Sequence, residues 1–340
     1  MRVGSLDAFI AALPKAELHL HLEGSVDEAL ARKLAIRRGT PLPRYPPPGE
    51  GFGNFGRFLG CYMAICNCFE EPEDFHDAVV SLAERLRAQG VRYAEVTFTT
   101  MSHETRGVGR ERIAEGLVSG RAAAAKLGVT MRWVYDVVRS LPEQAEPTLR
   151  SALAMAALDP GSVVGFGVGG PERETDDPRV LADVFTAARQ AGLHSLPHAG
   201  EQAGPKSIWG ALEVLGAERL GHGVRCLEDP ELVRHLAATG VPLEVCPTSN
   251  VHTGVVATFA EHPLPALLAA GLQVSIGSDD PPLFGTDLCR EYQRCVAGFG
   301  WDAERVRGLA RTSIEHSFME PTDKQALLAE IAAVPSPSVR

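Results

Sequence analysis

Two histidines one residue apart carry the first chemical signal in this chain. His19 and His21 lie in Lys15-Ala16-Glu17-Leu18-His19-Leu20-His21-Leu22-Glu23-Gly24, which reads as a buried strand. Strand side chains alternate faces, so both imidazoles project to the same side. Imidazoles held together in apolar surroundings are costly unless something binds them. A metal ion does so; two core histidines hydrogen-bonded within the protein are the equally plain alternative. The pair alone does not choose.

Three later segments add to it: Leu196-Pro197-His198-Ala199-Gly200-Glu201, Gly221-His222-Gly223 and Ser278-Asp279-Asp280-Pro281. Singly, these read as a core histidine, a turn, and a helix cap with proline at the first helical position. Jointly they place three ligand-type histidines, a fourth histidine and several carboxylates at the ends of separate strands. Three imidazoles and one carboxylate, with an open position for water, suit zinc. His19, His21, His198 and Asp279 are accordingly expected to hold one zinc ion per chain. Zinc lowers the pKa of bound water toward about 7. Glu201, three residues past a ligand, is placed to exchange a proton with substrate, and His222 to hold the hydroxide or stabilise charge. The implied chemistry is metal-assisted hydrolysis, with Glu201, His222 and Asp279 as catalytic groups.

The elements that must position these residues alternate along the chain. Strand-like segments are expected at 17–22, 91–98, 130–138, 163–168, 194–198, 219–222, 242–246 and 273–278, with helical patterns at 74–89, 110–127, 178–191, 207–215, 229–239 and 263–270. Gly90, Gly128, Gly192, Gly216, Gly240 and Gly271 follow the helices as C-terminal caps. Nearly all-apolar strands alternating with helices argue for a parallel sheet covered by helices. Eight such units give an α/β fold, a (β/α)₈ TIM barrel in a single domain spanning 1–340, whose strand ends surround one mouth. Between the first two strands lies more chain than a crossover helix needs. The proline-rich stretch 40–49, a Gly/Phe-rich run at 51–60 and apolar helix material, with Cys66-Asn67-Cys68 on a helix wall, make 40–75 a lid-like insertion or a peripheral decoration. The tail 335–340 is expected to fray.

The rest of the composition excludes more than it identifies. The chain has 340 residues, 45% hydrophobic and 22% charged, ample for a large core. Net charge is −10, from 33 basic and 43 acidic residues, with no Lys/Arg run. Nucleic-acid binding is therefore not expected. Seven scattered cysteines with no CxxC pair indicate reduced thiols. Without a membrane-length apolar stretch or a signal-peptide layout, the expectation is a cytoplasmic protein acting on a small molecule. The sequence says nothing of oligomeric state.

The motif set resembles the adenosine deaminase family of the amidohydrolase superfamily. His19-Leu20-His21-Leu22-Glu23-Gly24, His198-Ala199-Gly200-Glu201, Gly221-His222-Gly223, Cys246-Pro247-Thr248-Ser249-Asn250 and Ser278-Asp279-Asp280-Pro281 occur in family order, across about 14–320. The resemblance implies a (β/α)₈ barrel, one catalytic zinc and hydrolytic removal of the 6-amino group of a purine. It assigns Glu201 to protonate the ring nitrogen beside the amino-bearing carbon, and His222 with Asp279 to orient and deprotonate the water. Asp280 would bond N7 and the Gly170 backbone N3, with His21 also among the substrate-binding residues. A glycine-rich exit from a strand independently permits close backbone approach to a flat ligand.

Two departures from the family pattern concern the sugar end. Glu23 stands where adenosine deaminases in the narrow sense carry Asp, which contacts the ribose 5′-hydroxyl; Gly167 and Pro171 replace common acidic residues. Relatives with Glu include adenine deaminases and deaminases of aminodeoxyfutalosine, a menaquinone precursor. The adenine deaminases carry a second Glu beside the catalytic one, whereas Gln202 follows Glu201 here. The expected substrate is therefore adenosine or a 5′-modified adenosine, with adenine the alternative. A binuclear amidohydrolase would need a bridging Lys or carboxylate at the end of the fourth strand, and 163–170 offers no Lys. The small cytidine-deaminase type needs HxE and PCxxC, which are absent. A non-catalytic protein on this fold would betray itself by losing Glu201 or a ligand.

Overall fold

The computed structural model describes residues 5–47 and 50–337. Pro48 and Gly49 of the proline-rich stretch, and 338–340 of the tail expected to fray, lie outside them. The strands are β1 (Lys15–His21), β2 (Val91–Phe98), β3 (Thr130–Val138), β4 (Val163–Gly169), β5 (His194–Ser195), β6 (His198–Ala199), β7 (Leu220–His222), β8 (Leu243–Val245) and β9 (Val274–Ile276). Every pairing is parallel, in the orders β1-β2-β3-β4-β5 and β6-β7-β8-β9. Helices separate all of them except β5 and β6, which only Leu196 and Pro197 divide. This is the expected (β/α)₈ barrel, with its fifth strand broken in two.

The break has a local cause. Pro197 has no N–H to give to a ladder, so regular pairing stops before it and resumes after it. The segment still bridges its neighbours: Leu196 N donates to Phe166 O at 3.0 Å, and Pro197 O accepts from Gly221 N at 3.0 Å. The barrel closes at the opposite seam through Asp279. Its N–H donates to His19 O at 2.9 Å and its carbonyl accepts from His21 N at 3.0 Å. Three residues expected to hold metal, His19, His21 and Asp279, thus sit on adjoining backbones.

All six glycines expected to end helices have positive φ. The helix expected over 178–191 opens as a 3₁₀ turn, Pro178–Leu181, before the α-helix Ala182–Gln190. Ser278–Pro281 forms a turn rather than a helix cap. Between β1 and β2 lie the helices Glu28–Arg38, Phe55–Cys66 and Pro72–Ala88. The middle one starts on Asn54, whose side chain accepts from Arg57 N at 3.0 Å, and ends at Cys66, leaving Cys68 beyond it. All seven cysteines are free. No helix among the described residues is long and apolar enough to cross a membrane.

Candidate active site

His19 and His21 project from the end of β1, His198 from β6, His222 from the end of β7, and Asp279 from the turn after β9. His222 (φ 63°) and Asp279 (φ 62°) are the non-glycine residues at positive φ among those described. Such left-handed conformations cost energy and persist where the surroundings over-determine them. Both backbone bonds to β1 clamp Asp279, and Asn250 Nδ2 holds the His222 ring at 3.2 Å through Nδ1.

The rings converge. The His19 centroid lies 4.6 Å from that of His198, 4.8 Å from His222 and 5.9 Å from His21. Asp279 Oδ1 lies 3.4 Å from His21 Nε2 and 3.7 Å from His19 Nε2. His198 Nδ1 donates to Val168 O at 3.1 Å, and His19 Nδ1 donates to Glu244 Oε2 at 3.0 Å. Those bonds put the ring protons outward and leave each Nε2 lone pair free. His19 Nε2 is buried with no hydrogen-bond partner. Burial lowers the pKa of His19 and, with His19, His21 and His222 nearby, takes that of His198 well below the usual range. Neutral imidazoles with unpartnered inward lone pairs, beside a carboxylate, fit a cation.

Asp279 supplies the charge. Burial pushes its carboxyl up, but His19, His222, His21 and the Ser249 hydroxyl, 2.6 Å from Oδ2, together hold it below the ordinary value. Burial and the neighbouring Asp279 raise Asp280 well above that value, which favours its proton-bearing form. Asp280 Oδ1 is buried and unpartnered. It packs where a Cβ on Gly24 would lie 1.6 Å from it, so only glycine leaves room there. Cys246 Sγ also lies in the cluster, but burial and Asp279 keep its thiol protonated, the wrong form for a ligand.

Behind His19 runs a buried ion chain. Arg219 joins Glu95 of β2 to Glu244 of β8 and donates to His316 O at 2.7 Å. Glu95 Oε1 accepts from Phe318 N at 2.7 Å. Glu244 is thus an ionised acceptor for His19, its carboxyl lowered chiefly by Arg219 against the effect of burial. Outer partners of this kind fix the tautomer and orientation of a ligating ring.

Glu201 stands opposite. Its Oε2 lies 3.9 Å from His222 Nε2, and Oε1 accepts from Thr253 Oγ1 at 3.4 Å. Burial raises its carboxyl above the ordinary value, with His222 the main opposing influence. The loop that carries it is fastened by Glu172, whose carboxylate accepts from the N–H groups of Gly200 (2.9 Å), Glu201 (3.0 Å), Gln202 (2.9 Å) and Ala203 (2.8 Å) and from the Ser207 hydroxyl.

A cavity of about 330 Å³ opens over this cluster. His21, His198, Glu201, His222, Asp279, Asp280 and Gly170 (φ 87°) all line it. The helix Phe55–Cys66 covers it with Phe55, Phe58, Leu59, Tyr62 and Met63, one helical face by their spacing. Phe58 stacks on Phe284 at 5.2 Å. Glu23 is not on the wall. It is fully buried behind it, accepting from Tyr62 Oη (3.2 Å), His103 Nε2 (3.0 Å) and Thr99 N (3.3 Å).

Sequence reasoning passed over Glu244, Glu172 and Asp136. Asp136 lines the cavity from β3 and accepts from Thr99 Oγ1 at 2.7 Å. Glu244 and Asp136 carried a readable signal, a single carboxylate with apolar residues on either side of it in the strand. Glu172 carried none, because its partners lie about thirty residues away on another loop.

Comparison with known proteins agrees with this geometry. The adenosine deaminase family profile matches residues 14–334. An aminodeoxyfutalosine deaminase of Streptomyces avermitilis is 40% identical over 334 residues, covering 96% of this chain and 92% of its own. The crystal structure of an adenine deaminase from Arthrobacter aurescens superimposes with a TM-score of 0.87 at 34% identity, over 94% of this chain and 98% of that one. An amidohydrolase from Burkholderia ambifaria, crystallised with bound zinc, matches with a TM-score of 0.87 at 26% identity, over 98% and 93%. A profile match across the barrel, joined to histidines and acids meeting at its mouth, places this chain in the adenosine deaminase family, as a hydrolase acting on carbon–nitrogen bonds.

Proposed function

We propose that the protein is a zinc-dependent deaminase of a 6-aminopurine nucleoside, adenosine or a 5′-modified adenosine such as aminodeoxyfutalosine. The product is the 6-oxo nucleoside plus ammonia. The observation that carries this reading is the shape of the cavity. It runs from the acid–histidine cluster to an apolar outer wall of Phe55, Phe58, Leu59, Met63 and Leu141, and no Lys or Arg lines it among the described residues. A free base occupies only the inner part; a phosphate would meet no cation; an apolar 5′ substituent is sheltered from water.

Within this reading, His19, His21, His198 and Asp279 hold the zinc. When bound, the ion acts as a Lewis acid and lowers the pKa of a water. Glu201, its carboxyl raised by burial, gives its proton to N1 of the purine, which draws electrons from C6 as water oxygen adds there. Asp279 takes the water's proton and His222 holds the attacking oxygen, since both face the same space 3.9 Å apart. Asp279 passes that proton to the amino group, which leaves as ammonia, and the C6 hydroxyl returns its proton to Glu201, giving the 6-oxo product. Asp280 donates to N7, and the Gly170 backbone meets N3. These contacts turn N9 and its sugar toward the ends of β1, β2 and β3. Asp136, one of whose oxygens has no described donor, accepts there from a sugar hydroxyl. Glu23 acts on that end through Tyr62, which it holds against the cavity.

The test is ammonia release from adenine, adenosine, 2′-deoxyadenosine, 5′-methylthioadenosine, S-adenosylhomocysteine and aminodeoxyfutalosine. 5′-Methylthioadenosine, whose 5′ group is apolar, is expected to exceed adenine in kcat/KM by roughly 10- to 100-fold, the worth of one buried apolar group. Preference for adenine would make the protein a free-base deaminase instead.

A further inference from the structure

We infer that His262 and Asn250 are positioning residues that fix the tautomer of His222, so that His222 meets the attacking water as an N–H donor rather than as a base. This rests on reading His222 as the group that holds that water. The chain of bonds starts from a backbone amide, which can only donate. Leu264 N donates to His262 Nδ1 at 3.1 Å. His262 is buried, and that burial lowers its pKa to about 4, so the ring is neutral. With Nδ1 accepting, its one proton sits on Nε2.

Each later step follows from that one. His262 Nε2 is 3.1 Å from Asn250 Oδ1, so the amide oxygen accepts. The amide nitrogen therefore faces the other way and donates to His222 Nδ1 at 3.2 Å. An accepting Nδ1 puts the His222 proton on Nε2, which lies 3.9 Å from Glu201 Oε2 and 3.9 Å from Asp279 Oδ2. The relay is built to be rigid. Asn250 is fully buried in the helix Pro247–His252, and His222 holds a positive φ that its neighbours must sustain. A polarised chain of this kind keeps one tautomer by cooperative hydrogen bonding. It gives a role to a buried histidine that belongs to no site motif. It also divides the labour: Asp279 removes the proton, and His222 stabilises the oxygen that has lost it.

The experiment is ¹⁵N NMR of histidine-labelled, zinc-loaded enzyme, with the His222 signals assigned by their absence in His222→Ala. The expected result is a protonated Nε2 and an unprotonated Nδ1 at His222. Asn250→Asp replaces the donor with an acceptor and should move the proton to Nδ1. It should lower kcat on the order of 10²-fold or more, as a wrong tautomer does at a catalytic histidine, with KM nearly unchanged. His262→Gln still donates to Asn250 and should keep both the tautomer and kcat within about tenfold. A wild-type His222 protonated on Nδ1 overturns the inference, and so does an Asn250→Asp enzyme that keeps Nε2–H. The wild-type spectrum reports the tautomer without turnover, so a wrong substrate assignment does not alter what it shows.

Discussion

Glu201→Gln keeps the fold and the bound zinc but lowers kcat on the order of 10³-fold or more, the range of a lost general acid in a buried site. The substitution is nearly isosteric, so the Thr253 contact and the Glu172 clamp on the loop persist. What disappears is a transferable proton. Burial holds the Glu201 carboxyl above its ordinary value, so the wild-type side chain carries a proton closer to neutral pH than an exposed glutamate does. An amide presents N–H groups but gives none of them up. The substrate still binds, and the loss therefore falls on kcat while KM changes little. Metal analysis beside steady-state kinetics checks this. Near wild-type turnover in a zinc-replete variant would remove Glu201 from its role.

Asp279→Asn has the other large effect, and the choice of Asn separates chemistry from strain. Asp279 sits at φ 62°, a conformation in which Asn is tolerated far better than Ala. Its amide oxygen can still accept from Ser249, and both backbone bonds across the β1 seam remain. The negative charge is gone, although His19, His21 and His222 are all arranged about it. The expected variant melts near the wild-type temperature, binds zinc weakly and loses turnover on the order of 10⁴-fold. Thermal denaturation, metal content and ammonia release read these separately. Normal turnover with a full complement of zinc would contradict the ligand set. A collapse of stability with zinc retained would mean that Asp279 serves the barrel seam alone.

Much of this architecture is legible in the residues themselves, because strand alternation and helix-ending glycines are local signals. The bounds expected for β2 and β3 coincide with those observed. The fifth strand does not, for pairing depends on whether Pro197 can donate, and its apolar neighbours conceal that. At the site, the histidines and acids carry recognisable local motifs, and all the expected ligands meet. Glu23 shows the limit. Its residue type drew attention to the sugar end, yet its position behind Tyr62 depends on the helix Phe55–Cys66 and on His103, eighty residues away. Arg219, Glu172 and His262 are invisible for the same reason, since each acts through partners that only folding brings near.

Zinc dependence is tested most directly by titrating zinc into chelator-treated enzyme, with ammonia release from a 6-aminopurine nucleoside measured at each addition. Negligible activity is expected without metal, followed by a linear rise that ends at one zinc per chain, each ammonia matched by one 6-oxo product. Full activity in the zinc-free protein, or a rise that continues to two zincs per chain, would contradict a single catalytic zinc held by His19, His21, His198 and Asp279.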